Sequence, residues 1–114
     1  MQKQYTIDLV ETQATVNVKE VQLEEVTVNP KIPLGSVLLN FTQGKLFSFQ
    51  VWANNQWITT QPNNLDQLFI NLIKPEVIIN KDQLFLVTFE NDGLDEIEKL
   101  SKEPLLGVDA IKGA

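Results

Sequence analysis

Hydrophobic and polar positions alternate through most of this chain, and they do so in short bursts. Tyr5, Ile7 and Leu9 alternate with Thr6 and Asp8, and Ala14, Val16 and Val18 alternate with Thr15 and Asn17, which is the period of a strand with one face buried. The apolar phase then slips after each of two charged pairs, Lys19-Glu20 and Glu24-Glu25, resuming at Val21 and Leu23 and again at Val26 and Val28. Written in fives, Val16 to Pro30 is VNVKE, VQLEE, VTVNP, a quasi-repeat that stops at Pro30 and therefore predicts no stacked repeat architecture. One or two strands with bulges or tight turns at the charged pairs are expected instead, because an inserted residue resets which face the side chains occupy.

Pro30 and Pro33 bracket a stiff connection ending in Leu34-Gly35, and Val37, Leu39 and Phe41 then mark a strand that Gln43-Gly44 turns back. A strand from Lys45 to Ala53 leads through Asn54-Asn55 into another from Gln56 to Thr60, a two-residue hairpin. After Gln61-Pro62-Asn63-Asn64 the spacing changes to Leu65, Leu68, Phe69, Leu72 and Ile73, the stripe of an amphipathic helix closed by Lys74 and Pro75. Val77–Ile79 and Leu84–Phe89 predict a second hairpin apolar enough to be buried on both faces, and Leu94, Ile97 and Leu100 predict a short helix stopped by Pro104. Residues 1–104 are expected to form a single β-rich domain, with 105–114 as an apolar tail or docking arm carrying Leu105, Leu106, Val108 and Ile111.

With strands first, helices few and no βαβ alternation, the fold class is mainly β and antiparallel: a β-sandwich, of jelly-roll type in one version, with one or two short helices. An α+β roll with the Leu65 helix over one sheet face is the alternative. At 114 residues the chain can bury a core without disulfides or a structural metal. It lacks the run of about 18 apolar residues that a membrane span requires, so a soluble protein without membrane partners is expected. No secretory signal is visible after Met1, which points to a cytoplasmic or virion setting.

Composition narrows the chemistry. There is no cysteine, no histidine and no arginine, so thiol and imidazole catalysis and bidentate phosphate recognition lose their usual agents, and neither a metal nor a cofactor is expected. Fifteen acids against nine lysines give a net charge of −6, which argues against a nucleic-acid partner because phosphate affinity needs cations. The acids Glu90, Asp92, Asp95, Glu96 and Glu98 lack the alternating order of a calcium loop and suit a helix start, where the dipole favours them. No enzyme is expected.

Two features remain as candidate sites. If Asn54-Asn55 is the hairpin loop, Trp52 faces Trp57, Val51 faces Ile58 and Gln50 faces Thr59. Phe47, Phe49, Val51 and Ile58 then share the core face, and the tryptophans share the other with Ser48, Gln50 and Thr59. With Asn54, Asn55 and Gln56 nearby, this is an aromatic platform able to bind a carbohydrate or other ligand, or a protein anchor. The tail is the second feature. It supports the leading expectation, a non-catalytic structural or assembly protein, such as a virion component, that self-associates as a homo-oligomer or docks on protein partners.

Overall fold

The computed structural model describes residues 2–28, 31–59, 81–102 and 105–111. Its strands are β1 (Gln2–Leu9), β2 (Gln13–Val21), β3 (Val37–Thr42), β4 (Lys45–Ala53), β5 (Gln56–Thr59), β6 (Gln83–Phe89) and β7 (Leu105–Ile111). Two short helices are described with them, α1 (Leu23–Thr27) and α2 (Gly93–Lys102). The Leu65 stripe and the Val77–Ile79 strand lie outside the described residues.

The mainly β, antiparallel class is what the alternation predicts. The two-sheet sandwich is not what the described strands form: they make one seven-stranded sheet in the order β5-β4-β3-β6-β2-β1-β7. The reason is the placement of β6, which pairs with β2 on one side and β3 on the other, joining the β1–β2 hairpin to the β3–β4–β5 meander.

Register shows which side chains share a face. Tyr5 stands opposite Val16 and Ile7 opposite Ala14; Val18 stands opposite Val87, Val87 opposite Val37, and Leu39 between Phe85 and Phe49. These residues form the main core, to which α2 adds Leu100 and the half-buried Ile97. Phe41 and Phe85 meet edge to face with ring centroids 5.9 Å apart, a favoured arrangement of aromatic quadrupoles. On the opposite face a smaller cluster gathers Val21, Val26, Leu38 and Leu86, with Trp57, Ile32 and Leu84 against it. Strands β3 and β6 are therefore apolar on both faces, whereas β1 and β2 carry Thr6, Asp8, Thr15 and Asn17 on the second one.

The phase slips of the N-terminal third thus have a different cause from the bulges expected. Strand β2 runs through Lys19-Glu20 to Val21 with no register shift against β1 or β6. Its apolar positions change face because Val21 meets the satellite cluster, where Val26 of α1 covers it. Glu24-Glu25 opens α1, where Glu25 Oε1 accepts a hydrogen bond from the Gln22 backbone N–H at 3.0 Å.

The turns follow their residues. Asn54 (φ 54°) and Asn55 (φ 57°), like Gln43 (φ 52°) and Gly44 (φ 80°), supply the two left-handed residues that a tight hairpin loop needs. Gly35, at φ 80°, lies against the start of α2: a Cβ built on it would stand 2.3 Å from the Gly93 carbonyl carbon, an approach that only glycine permits. At that start Asp92 Oδ1 accepts hydrogen bonds from the backbone N–H of Leu94 (3.0 Å) and Asp95 (3.4 Å).

Candidate functional site

The β4–β5 hairpin has the register that its loop residues predict: Gln50 opposite Thr59, Val51 opposite Ile58, Trp52 opposite Trp57 and Ala53 opposite Gln56. The indole rings stand 5.1 Å apart at 65°, and Gln50 Nε2 donates to Thr59 Oγ1 at 3.4 Å. Trp52, Trp57, Gln50 and Thr59 thus share one face. Asn54 and Asn55 are the exposed loop, and Gln56, opposite Ala53, belongs by alternation to the other face.

Both tryptophans are half-buried, and one is already engaged. Trp57 Nε1 donates to the Val26 carbonyl at 2.9 Å, tying the edge hairpin to α1 across 31 residues of sequence. Neither partner of that bond signals it in the sequence, because α1 itself is hidden there among strand-like residues. Trp52 is held through its backbone: its N–H donates to Ser36 O at 2.9 Å, and its carbonyl accepts from the Gly35 N–H at 2.9 Å.

One residue of the expected core face is elsewhere. Phe41 pairs with Leu46 and Asn40 with Ser48, so Phe47 is the extra residue of a β-bulge; it is 75% exposed, and Leu46 takes the place against the core. Alternation counted back from Phe49 cannot reveal an inserted residue.

The acids of α2 are used locally. Lys102 Nζ meets Glu98 Oε1 at 2.6 Å, and this hydrogen bond and the lysine charge hold the exposed Glu98 carboxyl below its usual pKa of 4.5. Among the described residues Glu96 is the only buried charged one; it meets Lys99 at 3.4 Å through Oε1, and its Oε2 has no hydrogen-bond partner among them.

At the opposite edge of the sheet the C-terminal segment pairs with β1, Gln4 opposite Ile111, Tyr5 opposite Ala110, Thr6 opposite Asp109, Ile7 opposite Val108 and Asp8 opposite Gly107. The register then shifts, so that Leu9 stands opposite Leu105 and Leu106 is the inserted residue, 67% exposed. Of the four tail positions singled out in the sequence, Leu105, Val108 and Ile111 therefore take part in the pairing and Leu106 bulges from it. Beside the bulge, the turn from β1 to β2 is closed by the Leu9 N–H on Thr12 O at 2.8 Å and carries Val10, which is 55% exposed. Val10 and Leu106 share a shallow depression of about 560 Å³ with Asp8, Glu11 and Gln13. Asp8 Oδ1 accepts from Gln13 Nε2 there at 2.7 Å. Val10 was not singled out from the sequence, where a lone valine before a polar turn looks like the end of a strand.

Among the described residues these features define a single antiparallel sheet with one tryptophan-braced edge and one edge formed by Leu105–Ile111. No protein-family model matches the chain, and comparison with curated proteins and with solved structures gives no match. No described helix is long and apolar enough to cross a membrane.

Proposed function

We propose that this chain is a non-catalytic structural protein that works by assembly, self-associating or docking on partner protein subunits, in a virion or another large particle. The observation that supports it is the β7 edge. Strand β7 is seven residues long and pairs with β1 on one side, no described strand pairs with its other side, and it contains neither lysine nor proline. Edge strands are ordinarily blunted by such residues, since their unpaired N–H and C=O groups invite another strand. Beside it lie the exposed Val10 and Leu106, apolar groups at a corner that gains by being covered. The virion setting is analogy with the uses of β-rich protomers. A ligand-binding role for the Trp52 and Trp57 face is the lesser proposal, because the Trp57 N–H is occupied by Val26.

Light scattering across a range of concentrations tests the assembly proposal. A mass rising above the 12.9 kDa of one chain is expected, and Leu106→Lys should lower it without altering the circular dichroism spectrum. A monomer at every concentration, with no partner subunit present, counts against self-association.

A further inference from the structure

We propose that two copies of this chain join β7 to β7 in antiparallel array about a two-fold axis at Val108, so that the sheet of one protomer continues into that of the other. This rests on the assembly function proposed above and specifies its partner and register. An isologous contact must match a surface to itself, and an antiparallel strand pair does so about one point. For β7 to overlap its copy along its full length, Leu105 to Ile111, that point is Val108.

The residue types suit that axis. Leu105 falls opposite the partner's Ile111, Leu106 opposite the partner's Ala110, and Val108 opposite its own copy, all of them apolar pairs. The one charged residue, Asp109, falls opposite the partner's Gly107, which carries neither a side chain nor a charge. Moving the axis to Asp109 would set two like charges directly opposite, which destabilises a strand pair.

The antiparallel direction carries the end of the partner's β7 past Leu105 toward the β1–β2 turn, where the exposed Val10 and Leu106 share a shallow depression. A second copy therefore covers that apolar corner at each end of the contact. Among the described strands the other edge, β5, is four residues long and offers a shorter ladder.

The absence of cysteine makes the test clean, because any disulfide must come from an introduced pair. Directly opposed residues of an antiparallel pair have Cα atoms about 4.5–5.5 Å apart, within disulfide range. Under mild oxidation Val108→Cys is expected to give a covalent dimer. Gly107→Cys and Asp109→Cys should each stay uncrosslinked alone and form a heterodimer when mixed before oxidation, a test that stands even if Val108→Cys folds poorly. If light scattering shows association but neither crosslink forms, this register is overturned while assembly stands. If the chain is a monomer throughout, this dimer and self-association fall, while docking on a partner subunit stands.

Discussion

Replacing Trp57 by Phe separates the two jobs that this side chain performs. It keeps an aromatic ring beside Trp52 and against Val26, Leu38 and Leu86, but removes the donor that meets the Val26 carbonyl at 2.9 Å. A typical intramolecular hydrogen bond contributes about 0.5–1.5 kcal/mol net, and withdrawing a donor leaves its acceptor short of a partner in a region where Val26 is 1% exposed. The smaller ring also weakens the edge-to-face pair, itself worth about 0.5–1.5 kcal/mol. A loss of roughly 1–2 kcal/mol follows, or about 4–8 °C in Tm for a chain of this size. Trp52→Phe is the control, since it reduces the ring pair and leaves the bond to α1 in place. Urea unfolding followed by circular dichroism, with unchanged m, should show Trp57→Phe as clearly the more destabilising of the two. Equal losses would refute the view that the indole N–H anchors α1.

Three further outcomes are expected. Phe47→Ser should change stability by no more than about 0.5 kcal/mol in chemical denaturation, whereas Phe49→Ala, two residues on and 3% exposed, should cost about 3–5 kcal/mol. Gly35→Ala should cost at least 2 kcal/mol by the same assay, because the positive φ and the 2.3 Å approach to the Gly93 carbonyl carbon both resist a Cβ. The Glu98 carboxyl, followed by NMR, should titrate below 4.5 in the native chain and return toward 4.5 in Lys102→Ala. Because its folded pKa is lowered, its small stabilising effect is present above 4.5 and is lost as pH falls through the folded value.

Much of the fold was legible where local chemistry decides it. The Asn54-Asn55 loop set the hairpin register residue for residue, since two adjacent left-handed residues leave a strand pair one way to align. Leu94, Ile97 and Leu100 marked the second helix because acids at its start and lysines at its end agree with the dipole. Long-range pairing was hidden. That β6 inserts between β2 and β3 depends on residues more than 40 positions apart in sequence, and no local period encodes it. The five residues of α1 are shorter than the window over which helical and strand periods differ, so Leu23 and Val26 looked like another strand. The bulges at Phe47 and Leu106 escaped for a related reason: alternation carries no mark of an inserted residue, and only the partner strand shows it. For the candidate sites, the tryptophan pairing was readable, while the bond from Trp57 to Val26 depended on a helix that was not.

The position of β7 also bears on how the protein is made. Strand β1 precedes the other described elements in the sequence, and its outer edge is covered by Leu105–Ile111, which follow all of them. With synthesis proceeding at roughly 5–20 residues per second, the β1–β2 hairpin waits several seconds with one ladder open before Leu105–Ile111 emerges. During that interval Tyr5, Ile7 and Leu9 lie along an unguarded strand in a nascent chain, and so do the same residues in any product truncated before β7. Chains cut short before β7 should therefore aggregate more readily than chains that carry it, because they leave β1, whose Tyr5, Ile7 and Leu9 belong to the main core, as the open edge.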